Sequence, residues 1–192
     1  MRHVDATDVA CGISLTCFVG RVQVMILATD DLQALMDRSA IEAGPHPRRT
    51  FELPDHALSA AALIRYWGSG QTIALAKAGA DGTPRVAPVE ALLHGTNLLV
   101  PTAIDAARVR HIRARPRVGF THWMASSIAV IGHGAAALVT PADREFAAID
   151  ATYTGPHARW FVPFRSAGTG VYVRIGAESL LAWAADPRAF AE

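Results

Sequence analysis

The stretch Thr72-Ile73-Ala74-Leu75-Ala76-Lys77-Ala78-Gly79-Ala80-Asp81-Gly82-Thr83-Pro84-Arg85-Val86-Ala87-Pro88-Val89-Glu90-Ala91-Leu92-Leu93-His94-Gly95-Thr96-Asn97-Leu98-Leu99-Val100-Pro101-Thr102 decides the fold. Thr72 to Ala78 reads as a strand, Gly79-Ala80-Asp81-Gly82 as a turn, and Arg85 to Leu93 as its antiparallel partner. His94-Gly95-Thr96-Asn97 makes a second turn, and Leu98 to Thr102 a third strand. Strands joined by hairpins cannot build a parallel dinucleotide fold, which needs a crossover after each strand.

Downstream, Asp105 is placed to cap a helix running to Arg115, and Pro116 stops it. Arg117 to Trp123 reads as a fourth strand and Ile128 to Val139 as a long fifth one, with a bulge expected at Gly132 and Gly134. Thr140 with Asp143, and Pro141 in the first helical position, predicts a capped helix to about Thr152. The segment from Thr154 to Gly168 reads as a long loop, the length at which a lid or a contact with a partner subunit is expected. Its Trp160, Phe161, Phe164 and Arg165 are read as a subunit anchor, since aromatic and arginine side chains dominate interfaces. Thr169 to Ile175 and Leu180 to Ala184 supply the last β-structure, around a turn at Gly176. The expectation is a mainly β fold: a six-stranded antiparallel split β-barrel of Greek-key order with flanking helices.

Upstream, two helices are expected. Asp30 or Asp31 caps a short one carrying Leu32, Leu35 and Met36, which ends before Gly44 and a Pro45-His46-Pro47-Arg48-Arg49 linker. Asp55 or Ser59 starts another, with Leu58, Ala62, Leu63 and Tyr66 on its apolar face and Gly68-Ser69-Gly70 as its end. Before them Ile13, Leu15, Cys17 and Val19 alternate like a strand, and Val22, Val24 and Ile26 resume in the opposite phase. That pattern is either an added strand or residues 1–24 translated ahead of a native start at Met25. Two units follow: an extension over 1–54 and the barrel domain over 55–192.

Composition narrows the function classes. The chain has 192 residues, 51% hydrophobic and 18% charged, with a formal net charge of +1, the profile of one near-neutral domain with an apolar core and no bulk attraction to nucleic acid. Arg21 and Gln23 interrupt the most apolar stretch, so no membrane span is expected, and Asp5 and Asp8 sit where a secretory leader carries positive charge. Cys11 and Cys17 match neither a redox pair nor a zinc knuckle and are read as reduced thiols. A cytoplasmic location is the resulting expectation. No histidine pair stands at metal-binding helical spacing beside a glutamate, no serine sits in a nucleophile elbow, and Gly132-His133-Gly134-Ala135-Ala136-Ala137 lies between strands rather than opening a nucleotide-binding helix.

Chemistry concentrates where the third strand meets the next helix, Leu98-Leu99-Val100-Pro101-Thr102-Ala103-Ile104-Asp105-Ala106-Ala107-Arg108-Val109-Arg110-His111-Ile112-Arg113-Ala114-Arg115-Pro116-Arg117-Val118. A strand end, a hydroxyl, a helix N-terminus and an arginine one turn in are the parts of a phosphate cradle. A solvated basic helix is the alternative. His122 and Trp123 stand either at the border of such a site or as a satisfied histidine and a core tryptophan.

This segment, with Thr72-Ile73-Ala74-Leu75-Ala76, Asp81-Gly82-Thr83-Pro84-Arg85-Val86-Ala87-Pro88-Val89 and Ala129-Val130-Ile131-Gly132-His133-Gly134-Ala135-Ala136, resembles the pyridoxamine 5'-phosphate oxidase-like, FMN-binding split β-barrel superfamily over about Leu58 to Ala184. The resemblance implies a flavin-dependent oxidoreductase that binds FMN between the two copies of a homodimer and acts on a small organic substrate. It places the ring-binding strand on Arg85, Val86, Ala87 and Pro88, with Arg85 also able to stabilise negative charge on a reduced ring. Thr102 falls on the phosphate-contacting hydroxyl and Arg108 on the basic phosphate ligand. Many members carry a serine and an arginine just before that ligand, where this chain has Ala106 and Ala107, and no substrate-binding tail of the vitamin B6 oxidases is recognisable. A deazaflavin-dependent reductase and a flavin- or haem-binding module without turnover are the alternatives. The resemblance identifies no catalytic residue.

Overall fold

The computed structural model describes residues 15–68, 70–153 and 156–190, with 15–27 and 156–157 described in backbone only. Six strands close into one antiparallel barrel: β1 (Gln71–Ala78), β2 (Pro84–His94), β3 (Asn97–Ala103), β4 (Arg117–Met124), β5 (Ile128–Val139) and β6 (Gly170–Ala184), in the order β1-β2-β3-β6-β5-β4. This is the expected split-barrel architecture. Alternation along the strands sends Ile73, Leu75, Val89, Val118, Phe120 and Val130 into the barrel, where they meet Leu98, Val100 and Val173 in the main core.

The barrel is closed at one end and splayed at the other. β2 pairs with β1 along its length from Pro84 to Ala91 but with β3 only from Leu92 to His94. Beyond Leu99, β3 continues along β6 up to Ala103. From Pro84 to Val89 the far edge of β2 therefore has no strand partner among the described residues. At Ala91 the indole N–H of Trp67 takes the carbonyl, at 2.8 Å, so the helix α3 (Ala60–Trp67) plugs the narrow end of the split. Ser59 caps α3 as expected, its hydroxyl accepting the Ala62 N–H at 3.2 Å.

The N-terminal region differs from its reading. Leu15–Glu42 is one helix, α1, so the strand-like alternation lies on helical backbone from Leu15 onward, Ile13 being outside the described residues, and neither Asp30 nor Asp31 caps anything. Leu32, Leu35, Met36 and Ser39 are spaced by three and four and all buried against the barrel; that face sets the period, and a helix once nucleated extends cheaply through its neighbours. Cys11 lies outside the described residues, and of Cys17 only the backbone is described. The presumed linker forms a short helix, α2 (Pro45–Thr50), because proline fits a first helical turn. No helix among the described residues is long and apolar enough to cross a membrane.

Three further corrections follow from local hydrogen bonding. The Asp143 carboxylate accepts both the backbone N–H and the hydroxyl of Thr140, at 2.7 and 2.8 Å, closing a turn that delays the helix to Phe146–Thr152, α5. The expected long loop holds a 3-10 turn, Pro156–Trp160, and a short helix, Val162–Ser166. Gly176 is no turn: β6 runs through it, paired to Asn97 and Ala135. The irregularity is a bulge where the register slips between His133 and Gly134, and a Cβ at Gly134 would collide with the Gly176 carbonyl.

α5 and the segments after it cover a second cluster outside the barrel, built from Leu92, Leu99, Ile149, Tyr153, Phe161 and Tyr172. The Arg165 guanidinium pairs with Asp150 at 2.9 Å and lies over the Phe161 ring. Two of the four residues expected to reach for another subunit, Phe161 and Arg165, thus serve their own chain, Phe161 being fully buried. Trp160 and Phe164 remain exposed.

Candidate functional site

Strand direction gathers the sequence-predicted residues at two neighbouring places. β1 and β3 end, and β2 begins, at the same end of the barrel, the end that the helix α4 (Ala107–Ala114) covers. Arg85 opens β2 there and stands directly opposite Lys77 of β1. Arg108 lies in the first turn of α4, half-buried. Burial first, and then the nearby charges of Arg108 and Arg85, hold the Lys77 ammonium below the usual lysine range. Burial also lowers the Arg108 guanidinium.

None of these three cations makes a hydrogen bond or an ion pair among the described residues. Their neighbours do: Arg110 and Arg115 donate to the carbonyls of Asp105 and Ala80, and Arg117 pairs with Glu178. The nearest carboxylate, Asp81, accepts the hydroxyl and the N–H of Thr83 at 2.7 and 3.0 Å, and these bonds, with a smaller contribution from the charge of Arg85, hold it below the usual carboxylate range. Ala106 caps α4 without a side-chain bond, so Asp105 does not play the expected role and the helix opens with bare amides. Thr102, at the end of β3, is 4% exposed, and its hydroxyl has no partner among the described residues. Lys77 was missed in the sequence because a lysine closing a strand beside a turn looks like ordinary surface charge; the cross-strand register is what sets it against Arg85.

Val86, Ala87 and Pro88 line a cleft of about 520 Å³ with Gln71, Thr72, Ile73, Ala74, His122 and Trp123. Successive residues of β4 point to opposite faces, which separates the last two. His122 is buried; its Nδ1 lies 2.8 Å from the Thr72 carbonyl, which can only accept, so Nδ1 carries a proton, and its Nε2 shares a 2.6 Å hydrogen bond with the Tyr66 hydroxyl. It is the satisfied histidine of the two readings. Trp123 is no core residue: it is 61% exposed at the cleft.

The candidate site is thus a six-stranded split barrel with a cation-rich end and an adjoining cleft. The family model described as pyridoxamine 5'-phosphate oxidase matches residues 62–179, more than half of the chain, and the protein belongs to that family. No curated protein matches it. Among solved structures it is similar to a conserved hypothetical protein of Mycobacterium tuberculosis, with 24% identity, a TM-score of 0.54, and 71% of this chain and 91% of that one covered. It is also similar to general stress protein 26 of Bacillus anthracis, with 15% identity, a TM-score of 0.53 and coverage of 62% and 90%. A third is an FAD-binding protein of Mesorhizobium loti, with 18% identity, a TM-score of 0.51 and coverage of 66% and 95%. At these identities the likeness is one of fold.

Proposed function

We propose that the protein is a flavin-dependent oxidoreductase that binds FMN at the interface of a homodimer and acts on a small organic substrate. The observation that carries this reading is that one strand, β2, runs from the unpartnered cations at Arg85 into the apolar cleft at Pro88. Three residues of strand span about 10 Å, the scale of the sugar-alcohol chain that separates the phosphate of FMN from its ring. The donor set fits the group: cations without carboxylate partners, the Thr102 hydroxyl without a partner, and uncapped amides at the start of α4.

Arg85 and Arg108 would hold the phosphate, with Thr102 donating or accepting one hydrogen bond. The strand edge at Val86, Ala87 and Pro88 would lie along the ring, its free backbone groups available to the polar rim. Bound, the flavin supplies the redox chemistry; the chain binds it, orients it and keeps water from one of its faces. Arg85, at the strand start, would favour negative charge on the reduced ring. The second copy is supported by the outer face of the same strands, where Val86, Trp123 and Ile131 are exposed around β1, an apolar surface of the kind that marks association.

The test is retention. The full chain is incubated with FMN and passed over a sizing column: flavin absorbance in a peak of dimer mass is expected. A colourless peak overturns the cofactor, and a flavin-bearing monomer overturns the interface. Anaerobic reoxidation of the reduced, loaded protein by small organic acceptors such as quinones then separates an oxidoreductase from a carrier that does not turn over.

A further inference from the structure

We infer that Lys77 is a third phosphate ligand, supplied by β1 rather than by the helix, and that with Arg85 and Arg108 it makes a seat selective for a doubly charged phosphate monoester. The inference rests on the flavin reading above. Two like charges directly opposite across an antiparallel ladder destabilise the pair, and Lys77 and Arg85 occupy one such register position. α4 packs on β1 and brings half-buried Arg108 beside them. Among the described residues no carboxylate pairs with any of the three. Asp81 feels the charge of Arg85, but its oxygens are engaged by Thr83 and it forms no ion pair there among the described residues; a barrel rim on which three cations meet one such carboxylate is arranged for an anion that enters from outside.

The number of cations selects the anion. α4 begins Ala106-Ala107 and contributes no side chain ahead of Arg108, so two arginines and the helix amides alone would suffice for a singly charged group. The lysine adds the charge that a terminal monoester can balance, since such a phosphate carries about two negative charges at neutral pH. The two phosphates of a flavin dinucleotide are joined by an anhydride and carry one charge each, so their two charges are spread over two centres rather than gathered on one. The seat therefore favours a flavin mononucleotide over a flavin dinucleotide, and over riboflavin, which has no phosphate.

Binding of FMN, FAD and riboflavin to the full chain, followed by flavin fluorescence, tests this with Lys77→Met and Lys77→Arg. FMN is expected to bind the parent protein tightest. Lys77→Met should weaken FMN by about ten- to a hundredfold, the loss of one charge-assisted contact, leave riboflavin unchanged, and raise the thermal midpoint of the ligand-free protein by relieving repulsion. Lys77→Arg should keep FMN binding. Unchanged FMN affinity in Lys77→Met, an equal loss of FMN and riboflavin, or FAD binding tighter than FMN in the parent would each overturn the role of Lys77. Failure of the folded parent to bind any of the three would instead remove the flavin reading, and this inference with it.

Discussion

Ser39 on α1 accepts the backbone N–H of Leu180 at 2.9 Å, while its own hydroxyl donates to the Leu35 carbonyl at 2.8 Å. Leu180 follows the bulge in β6 where the ladder to β5 slips, Ser179 pairing with His133 and Ala177 with Gly134. The N-terminal helix thus supplies a bond at the one place where the barrel ladder is irregular. Both partners are buried. Ser39→Ala leaves the Leu180 amide without an acceptor and is expected to cost about 1–3 kcal/mol, read as a lower urea midpoint at unchanged slope. A cost below about 0.3 kcal/mol would mean that water replaces the hydroxyl and that α1 is a passive cover.

Arg108 and Thr102 separate binding from folding. Neither side chain has a hydrogen-bond partner of its own among the described residues, so the chain loses little when they change. Arg108→Ala should weaken FMN by roughly 1.5–3 kcal/mol, as removal of a charge-assisted bond does, and Thr102→Val by roughly 0.5–1.5 kcal/mol, as removal of a neutral one does. Thermal midpoints of the ligand-free variants should match the parent. A stability loss as large as the affinity loss would place either residue in the fold rather than in the site.

The barrel was legible because its strands announce themselves in pairs: Gly82 and Gly95, both at positive φ, punctuate the β1-β2-β3 meander, and their neighbours alternate. Arg85, Val86, Ala87 and Pro88 were legible as a unit for the same reason, since a hairpin fixes register. What escaped depends on distance along the chain. Lys77 acquires meaning only opposite Arg85, and Ser39 only beside Leu180, more than a hundred residues away. Trp160 and Phe161 are adjacent and chemically alike, yet one lies open and the other in the core; composition cannot divide them, while the polar hold of Asp150 on Arg165 and of Glu90 on Trp160 does. The extended pattern before Met25 misled because alternation over a few residues is weaker than a buried helical face downstream.

All three tyrosines are held above their ordinary range. Burial raises Tyr66. Burial first, then the bond to Glu90, raises Tyr153; burial, then the bond to Asp150, raises Tyr172. In the unfolded chain these phenols ionise near pH 10. A group whose folded pKa is raised stabilises the fold fully below its unfolded pKa and less as pH rises beyond it. Stability should therefore be insensitive to these groups below about pH 10 and fall above it. An absorbance titration of phenolate should show no step at pH 10 and then a joint rise coinciding with loss of circular dichroism. A separate tyrosine titrating near pH 10 in the folded protein would show that its hydroxyl reaches water freely.

Trp123 offers the sharpest test of the second copy. Of the four tryptophans, Trp67 donates to Ala91, Trp160 to Glu90, and Trp183 packs against Phe51 and His56. Trp123 has no ring contact or hydrogen bond among the described residues and is largely exposed, beside Val86 and the cleft. An indole of roughly 200 Å² that passes from this exposure to full contact gains about 3 kcal/mol at about 25 cal/mol per Å², and a two-fold pairing counts it twice. Ordering costs absorb part of that gain, so Trp123→Ser should raise the dimer dissociation constant by at least about a hundredfold in sedimentation equilibrium. Because the side chain supports nothing within its own barrel, the monomer should keep its circular dichroism and its thermal midpoint extrapolated to low concentration. FMN retention should fall with the dimer, since the open side of the cleft at Val86 then faces water. A variant that stays dimeric with unchanged affinity would move the interface off this face, and one that turns monomeric yet holds FMN as before would make each barrel sufficient alone.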